Sequence, residues 1–233
     1  MPAVRPIISA GKGVPGSDSL IGLMYVNVCE IFESVQGEST YAGLPCLFIR
    51  LSECNLRCNY CDTKRAYKKG RDIPIPALVA RCRKSRAPLV EITGGEPLLQ
   101  KGFSRLASAL CRINGKTVLV ETNGSVDISA VPGKAVAVID VKCPGSGEGG
   151  SFNKVNLRRI RRHDEVKFVL TDEKDYRWAK VFVRRHKLIS KCRAVLFSPV
   201  TRKLRSCDLA KWVLRDGLQV RLQIQLHRVL GVR

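Results

Sequence analysis

Short runs of apolar and β-branched residues alternate with longer amphipathic segments along this chain, and this alternation restricts the fold more than any other feature. Strand candidates lie at 25–32, 45–51, 89–93, 117–121, 135–141, 165–170, 194–198 and 219–225. Helix candidates lie between them at 75–86, 101–114, 153–162, 173–188 and 205–216. Repeated βα units joined by right-handed crossovers build a mostly parallel sheet that curves into a barrel. We therefore expect an α/β protein with a partial TIM-like (βα) barrel.

The composition is that of one folded domain preceded by a tail. The chain has 233 residues, of which 45% are hydrophobic and 26% charged, and this length is enough for one sizeable core. Residues 1–24 are instead rich in proline, glycine and serine and cannot form a core. We predict a disordered tail over 1–24 and a folded domain over 25–233. Met24 directly precedes the first strand candidate, so translation from this methionine is an alternative that would make the tail an artefact.

The sequence carries no sign of a membrane or secreted protein. No run approaches the roughly 18 apolar residues of a membrane span, and the N-terminus lacks the pattern of a secretory signal. Ten cysteines are too sparse for a disulfide scaffold in a chain of this length, which favours a reducing compartment. We therefore expect a cytoplasmic protein with no membrane partner.

The chain is strongly basic, with 41 Lys and Arg residues against 20 Asp and Glu residues and a formal net charge of +21. Such a charge is compatible with a polyanionic partner. The basic residues form a general coat in segments of helical spacing, however, and aromatic residues make up only 6% of the chain. Because aromatic side chains supply the stacking surface for single-stranded bases, we favour a solvated basic surface and expect that nucleic acid is not required.

Residues with chemical functions follow directly after four strand candidates. A cysteine-rich loop follows 45–51, Gly94-Gly95-Glu96-Pro97 follows 89–93, Thr122-Asn123-Gly124 follows 117–121, and Lys142-Cys143-Pro144 follows 135–141. The carboxyl ends of parallel strands meet at one mouth of a βα barrel, where active sites of this architecture lie. We expect these four segments to surround one site.

The cysteine-rich loop offers three ligands at a CxxxCxxC spacing, Cys54, Cys58 and Cys61. A closed structural zinc or iron–sulfur site uses four protein ligands, whereas three ligands leave one metal ion free to bind a small molecule. Zinc is the alternative, but the fourth ligand would have to come from a distant histidine, His163 being the first in the chain. An open iron–sulfur cluster is the better interpretation.

The spacing, with Tyr60 before the last cysteine, resembles the signature of radical S-adenosylmethionine enzymes. The resemblance implies a 4Fe-4S cluster whose open iron chelates the amino and carboxylate groups of S-adenosylmethionine. Electron transfer from the cluster then breaks the sulfonium C–S bond and gives a 5′-deoxyadenosyl radical. In this superfamily the segment Gly94-Gly95-Glu96-Pro97 binds the methionine amino group, which assigns Gly95 and Glu96 to that role.

Further segments narrow the resemblance to one family. They are 30–38, 48–52, 61–63, 93–98, 121–124, 140–144 and 222–228, reading EIFESVQGE, FIRLS, CDT, TGGEPL, ETNG, DVKCP and LQIQLHR. Together they closely resemble 7-carboxy-7-deazaguanine synthase from about residue 28 to the C-terminus. This family contracts 6-carboxy-5,6,7,8-tetrahydropterin to 7-carboxy-7-deazaguanine and releases ammonia, on the way to the deazapurine bases of tRNA such as queuosine. It uses a 4Fe-4S cluster, S-adenosylmethionine and Mg2+.

The resemblance also implies roles for single residues. Substrate contacts fall on Val35, Gln36, Gly37, Arg50 and Thr93. Arg50 pairs with the substrate carboxylate, a task that suits a planar guanidinium. No protein nucleophile is required, so no catalytic residue is expected beyond the cluster and the cofactor.

The remaining implied residues hold metal and cofactor. Thr63 is the position of the Mg2+ ligand, although by itself an Asp-Thr pair is equally a cap of the following turn. Asp140, Lys142 and Ser146 lie where the family binds S-adenosylmethionine, and their alternative is simply the end of a strand. His227 has two interpretations as well, an acid or base and a structural side chain.

Two other functions compete with this interpretation. An activase that makes a glycyl radical on a partner protein shares CxxxCxxC, but it would lack the Gln36-Gly37-Glu38 and Arg50 elements. A basic iron–sulfur or zinc protein that binds nucleic acid does not explain the strand-end position of Gly94-Gly95-Glu96-Pro97. The family resemblance further implies a homodimer and an external electron donor. Two residues depart from the family pattern: Glu53 stands where a small residue is usual, and Ser39 replaces a common glycine.

Overall fold

The computed structural model describes residues 24–232. Nine strands are formed: β1 (Tyr25–Val35), β2 (Pro45–Leu51), β3 (Arg71–Pro74), β4 (Leu89–Gly94), β5 (Thr117–Thr122), β6 (Val136–Asp140), β7 (Glu165–Leu170), β8 (Ala194–Pro199) and β9 (Arg221–Leu222). The α-helices are α1 (Ile75–Lys84), α2 (Phe103–Leu110), α3 (Glu173–Arg185), α4 (Leu188–Lys191), α5 (Ser206–Arg215) and α6 (Leu226–Val229). None of the helices within this range is long and apolar enough to cross a membrane.

The nine strands form one sheet in the order β3-β1-β2-β4-β5-β6-β7-β8-β9. Along the stretch β2-β4-β5-β6-β7-β8-β9 each pair of neighbouring strands is parallel, while β1 pairs antiparallel with both β2 and β3. Because β3 and β9 do not pair with each other, the barrel stays open. The expected partial, mostly parallel barrel is therefore confirmed.

The two faces of the sheet have different environments because side chains alternate along each strand. One face packs against the helices in a large apolar core, for example through Ile49, Ile92 and Val120. The inner face carries a smaller apolar cluster near the start of the parallel strands, formed by Cys46, Phe48, Leu89, Leu119 and Val136. This cluster is called the barrel floor below. Above it, toward the carboxyl ends of the strands, the inner face becomes polar.

The element boundaries correct the sequence predictions at several places. The helix predicted over 153–162 is only a short 3-10 turn, Lys154–Arg158, and the strand predicted over 219–225 is only the two residues of β9. The sequence predicted no strand at β3, a four-residue edge strand that is mostly exposed. The tail predicted over 1–24 lies outside the described residues apart from Met24.

Candidate active site

The polar inner face opens into a cavity of about 360 Å³ at the carboxyl ends of the strands. All four strand-end segments contribute to its wall, through residues such as Cys54, Gly95, Asn123 and Lys142. The alternation of side chains explains the rest of the wall, because Arg50 of β2 and Thr93 of β4 are paired in register and both line the cavity. The single site expected at the mouth of the barrel is thus assembled.

The cysteine loop lies between β2 and the 3-10 turn Lys64–Tyr67, and Cys54, Cys58 and Cys61 all line the cavity. All three thiols are free and half-buried. Burial raises the pKa of Cys54 and of Cys58, since removing a thiolate from water is costly. The loop is fastened by Arg57, whose guanidinium donates to the carbonyl oxygens of Cys54 and Leu56 at 2.7 and 2.8 Å.

The glycine pair at the end of β4, Gly94 and Gly95, allows the cysteine loop to approach the sheet. A Cβ on Gly95 would overlap with the carbonyl oxygen of Glu53 and lie 2.8 Å from Cβ of Cys54. Gly94 has a φ of 153°, and a Cβ there would overlap with the backbone of Leu51. Both positions therefore require glycine, and the cysteine loop is held directly against the end of β4.

Glu96 is fully buried, and its carboxylate is held by hydrogen bonds to neighbouring groups. It accepts hydrogen bonds from the backbone amides of Leu98 and Asn123 at 3.0 and 2.7 Å and from the Thr122 hydroxyl at 2.9 Å. Burial raises its pKa despite these donors. Glu96 thus joins the ends of β4 and β5, and it is not among the residues that line the cavity.

A buried lysine organises the acidic side of the cavity. Lys167 of β7 is 4% exposed, donates to Glu38 at 2.6 Å, and forms an ion pair with Glu121. Asp140 lies 3.7 Å away. Burial alone lowers the pKa of Lys167, but the three carboxylates raise it well above its usual value. Burial raises the pKa of Glu121, but Lys167 outweighs it and lowers the value to about 2, so this ion pair is formed at neutral pH.

Lys142 and Asp140 form a second ion pair at the end of β6, with the Lys142 ammonium 2.9 Å from Oδ2 of Asp140. The other carboxylate oxygen, Oδ1, is enclosed and has no hydrogen-bond partner in the described part of the chain. Ser146 is fully buried in the following turn, where its hydroxyl donates to the Cys143 carbonyl oxygen at 2.6 Å. Asp140 and Lys142 line the cavity, and Ser146 does not.

The Arg50 side chain is oriented by a hydrogen bond to the carboxylate of Glu30. Its Nε donates to Oε1 of Glu30 at 2.7 Å, and the same oxygen accepts from Arg65 at 2.7 Å. The Arg50 guanidinium also lies 5.9 Å from the ring centre of Phe32. One edge of the guanidinium is therefore fixed, and Arg50 lines the cavity.

The loop after β1 forms one wall of the cavity, and the C-terminal segment packs on it. The amide of Leu226 donates to the Gly37 carbonyl oxygen at 3.0 Å, and Gln225 donates to Glu38 at 2.7 Å. His227 packs so tightly on Gly37 that a Cβ there would lie 2.7 Å from Cγ of His227. Residues 225–228 therefore act as a flap over the cavity, called the C-terminal flap below.

The flap is also tied to the cysteine loop near the predicted Mg2+ ligand. Arg228 forms an ion pair with Asp62 at 2.6 Å, and Asp62 accepts a hydrogen bond from the Thr63 hydroxyl at 2.9 Å. These donors lower the pKa of Asp62 although burial opposes them. Thr63 begins the 3-10 turn without a side-chain capping bond, which removes the capping alternative. Thr63 and Asp62 both line the cavity.

The residues present fit an open iron–sulfur cluster with a bound cofactor. Three free thiols share one cavity with a glycine turn and with an enclosed, unpaired oxygen of Asp140. Over residues 24–232, no three His, Cys, Asp or Glu side chains are gathered tightly enough for a single metal ion. A four-iron cluster needs a wider spacing, because each thiolate binds a different iron.

The structure brings together twelve of the fourteen predicted site residues on one cavity wall. They are Val35, Gln36, Gly37, Arg50, Cys54, Cys58, Cys61, Thr63, Thr93, Gly95, Asp140 and Lys142. The other two, Glu96 and Ser146, do not line the cavity.

Sequence reasoning assigned no role to several charged residues of the wall, among them Glu38, Glu91 and Lys167. Glu91 and Lys167 are charges inside otherwise apolar strands, VEIT and EVKFVL. A charge at an inward position of a buried strand is unusual, and that signal was available in the sequence.

Comparison with known proteins gives concordant results. Residues 49–136 match the Radical SAM superfamily. The chain is 44% identical over 220 residues to the 7-carboxy-7-deazaguanine synthase of Koribacter versatilis, a match that covers 88% of this chain and 96% of that protein. It is 42% identical to the synthase of Chlorobaculum tepidum, covering 88% and 94%. The crystal structure of QueE from Escherichia coli has a similar fold, with a TM-score of 0.67 at 22% identity over 91% of this chain and 100% of that one.

Proposed function

This chain belongs to the 7-carboxy-7-deazaguanine synthase family, and from that premise we propose that it converts 6-carboxy-5,6,7,8-tetrahydropterin to 7-carboxy-7-deazaguanine with release of ammonia. It is a radical S-adenosylmethionine enzyme of the carbon–nitrogen lyase type. One observation carries the proposal: Arg50 and the three cysteines face the same cavity. An activase for another protein would need no carboxylate-binding arginine at this position. The product would enter the synthesis of modified tRNA bases.

The protein has to hold the cluster and S-adenosylmethionine close to the substrate. When bound, the 4Fe-4S cluster and S-adenosylmethionine supply a 5′-deoxyadenosyl radical that removes hydrogen from C6 of the pterin. Cys54, Cys58 and Cys61 would hold the cluster, Gly95 would leave room for the methionine end, and Asp140 and Lys142 would bind the rest of the cofactor. For Asp140 the support is its enclosed, unpaired Oδ1.

The protein side chains position the substrate and exclude water. Arg50, fixed by Glu30, binds the carboxylate on C6 and so holds the reacting carbon in the mouth of the barrel. Lys167 keeps Glu121 ionised, which gives the cavity a fixed charge pattern that needs no rearrangement during the reaction. The C-terminal flap closes the cavity beside Gly37.

A cofactor-cleavage assay tests this function. Cluster-loaded protein is mixed anaerobically with S-adenosylmethionine and dithionite, and 5′-deoxyadenosine is measured with and without the carboxypterin. We expect the carboxypterin to stimulate 5′-deoxyadenosine formation, and Arg50→Ala to keep its cluster but lose this stimulation. If the carboxypterin does not increase 5′-deoxyadenosine formation by the wild type, the proposed function is wrong. If it increases formation by Arg50→Ala as much as by the wild type, the role of Arg50 is wrong.

We also propose that Mg2+ binds beside Thr63, with substrate oxygens completing its coordination. The support is that Thr63 and Asp62 both line the cavity and that the Thr63 hydroxyl lies 2.9 Å from the Asp62 carboxylate. Thr63→Val removes the hydroxyl at constant shape and should raise the Mg2+ concentration needed for half-maximal turnover. Thr63→Ser, which keeps the hydroxyl, is the matched control, and equal Mg2+ requirements in both variants would contradict the site.

We propose that the external electron donor is a small acidic protein that docks on the cysteine loop. Arg57, Lys64, Lys68, Lys69 and Arg71 are exposed on or directly after this loop. Reversing Lys64, Lys68 and Lys69 to Glu should slow cluster reduction by a reduced flavodoxin, and the effect should shrink at high salt. Reversing Arg184, Arg185 and Lys187, far from the loop in sequence, is the control. Equal reduction rates in both variants would refute the docking surface.

The assembly and compartment follow from the family proposal. We propose a homodimer in a reducing compartment, the cytoplasm, where ten unpaired cysteines remain reduced. Sedimentation equilibrium of the cluster-loaded protein measures the assembly directly. A monomer at working concentration would reject the dimer without affecting the proposed reaction.

A further inference from the structure

Glu91 is an acid in an apolar layer of the barrel. On the inner face it pairs in register with Phe48 of β2 and Leu119 of β5, and Leu119 pairs with Val136 of β6. Phe48, Leu119 and Val136 belong to the barrel floor. Glu91 is 5% exposed, yet it lines the cavity. Because burying an ionisable group costs free energy, its presence at this level calls for a partner that the floor itself does not provide.

The surroundings hold the Glu91 carboxyl in place but disfavour its ionised form. Gln36 donates from Nε2 to Oε2 of Glu91, while its own Oε1 accepts from the Glu38 amide at 3.0 Å. The amide orientation of Gln36 is therefore determined. Burial, and secondly the negative charge of Glu121, raise the pKa of Glu91 to about 8. A ligand with two adjacent N–H donors would favour the ionised form and satisfy both carboxylate oxygens.

The position of Glu91 relative to Arg50 fits a long, flat ligand. Arg50 pairs in register with Thr93, two residues beyond Glu91 on β4, and two residues of strand correspond to about 6.6 Å. Phe32 and Phe48 stack with ring centres 4.9 Å apart at the level of Glu91, and the Arg50 guanidinium lies 5.9 Å from the Phe32 ring centre, so this aromatic wall adjoins both levels. A bicyclic ring lying on this wall would place one end at the guanidinium and the other at the carboxyl.

We propose that Glu91, held by Gln36, recognises the 2-amino-4-oxopyrimidine edge of the substrate ring. This inference rests on the proposed function, since it takes the carboxypterin as substrate. The carboxylate of that substrate lies at the opposite end from its 2-amino group, which matches the placement of Arg50 above Glu91. The N3–H and the 2-amino N–H of the ring are adjacent donors, and a carboxylate accepts both. Glu91 is thereby a specificity-determining residue that selects a 2-amino ring.

Two stable aromatic probes separate this role from a structural one. 6-Carboxypterin has the 2-amino group, and 6-carboxylumazine carries an oxygen in its place. Binding of both to cluster-loaded protein with S-adenosylmethionine, without reductant, is measured by titration calorimetry. We expect the wild type to bind 6-carboxypterin about 10- to 100-fold more tightly, the range expected when a buried group loses its hydrogen-bond partner.

Glu91→Gln replaces one acceptor by a donor at nearly constant shape, so the preference for 6-carboxypterin should fall to about unity. Glu91→Asp keeps the carboxylate but shortens the side chain, so it should weaken binding of both probes and retain the preference for 6-carboxypterin. This variant provides the test if Glu91→Gln does not fold. Glu165→Gln, the same change at a fully buried strand acid outside the cavity wall, should leave the preference intact.

The outcomes distinguish this inference from the function on which it rests. An unchanged preference in folded Glu91→Gln, or a preference lost equally in Glu165→Gln, would overturn the role of Glu91 while leaving the carboxypterin as substrate. Failure of the wild type to bind either probe would reject the pterin assignment and the role of Glu91 with it.

Discussion

At the scale of single residues, the cavity depends on a few charged groups that are buried and on two non-glycine residues in a left-handed backbone conformation. Lys167 is buried among three carboxylates, and Glu91 lies in an apolar layer. Glu53 and Ser39 have φ values of 71° and 64°, in the left-handed region that favours glycine. These two are the positions that depart from the family pattern, so a small residue or glycine there has a backbone reason.

Removing the buried lysine should destabilise the fold in a pH-dependent way. Lys167→Met leaves Glu121, Glu38 and Asp140 facing one another, so the free energy of unfolding at pH 7 should fall by about 3 kcal/mol. In the wild type the lowered pKa of Glu121 contributes stability above about pH 4.5 that is lost as the pH falls toward 2. The difference between variant and wild type should therefore shrink on acidification.

Urea unfolding between pH 7 and pH 3 measures this difference. Lys211→Met removes a lysine that is 74% exposed and serves as the control, with an expected change within about 0.5 kcal/mol. A difference for Lys167→Met that stays constant over this pH range would show that its charge is not what stabilises the site.

Glu53→Gly should stabilise the protein, because glycine adopts a φ of 71° without the steric cost that glutamate has there. The gain should be about 0.5–1 kcal/mol after the greater flexibility of glycine in the unfolded chain is included. Glu33→Gly, at an exposed position inside β1, should cost a similar amount. Thermal and urea unfolding compare the two, and destabilisation by both changes would contradict the strain at residue 53.

At the scale of secondary-structure elements, the contact between the C-terminal flap and the loop after β1 controls access to the cavity. In Gly37→Ala the new methyl group would clash with the His227 side chain and push it away. Because only this side chain is in the way, we expect the C-terminal flap to shift and the core to stay unchanged. We expect pterin binding to weaken by about tenfold, with little change in unfolding free energy. Binding is measured by titration calorimetry with 6-carboxypterin.

A double variant identifies the cause of this effect. If the clash with His227 is responsible, Gly37→Ala in a His227→Ala background should have almost no further effect on binding. Gly133→Ala is the matched control, because no heavy atom lies within 4 Å of a Cβ at that position. An undiminished effect in the double variant would place the cause outside the flap.

The strands and their loops show which parts of the site could be predicted from the sequence and which could not. The strand-end motifs predicted the site because the ends of parallel strands must meet at one mouth, whatever the details of packing. The charges of Glu91 and Lys167 stand out in their strands, but their partners could not be predicted, because Gln36 lies in the loop after β1 and Glu121 lies two strands from Lys167 in the sheet. Glu96 was predicted from its motif, but its carboxylate is used to join β4 to β5, a contact made only in the folded chain.

At the scale of the whole molecule, the open barrel is a container with distinct parts. The barrel floor closes the bottom of the inner face, and the charged side chains of Lys167, Glu121 and Asp140 lie above it. The cysteine loop closes one side of the mouth, and the C-terminal flap covers another. This arrangement positions one small, flat, carboxylated substrate between the floor and the cofactor. Nothing in it requires a nucleophilic side chain, so the product that it forms is what defines the proposed function.

The most direct test of that claim is product analysis after anaerobic turnover. Cluster-loaded protein is incubated with 6-carboxy-5,6,7,8-tetrahydropterin, S-adenosylmethionine, Mg2+ and dithionite, and the products are identified by mass spectrometry and an ammonia assay. The account predicts 7-carboxy-7-deazaguanine and ammonia in equal amounts, both absent when Cys54, Cys58 or Cys61 is replaced by Ala. Formation of 5′-deoxyadenosine without the deazaguanine and ammonia, in protein with an intact cluster, would contradict it.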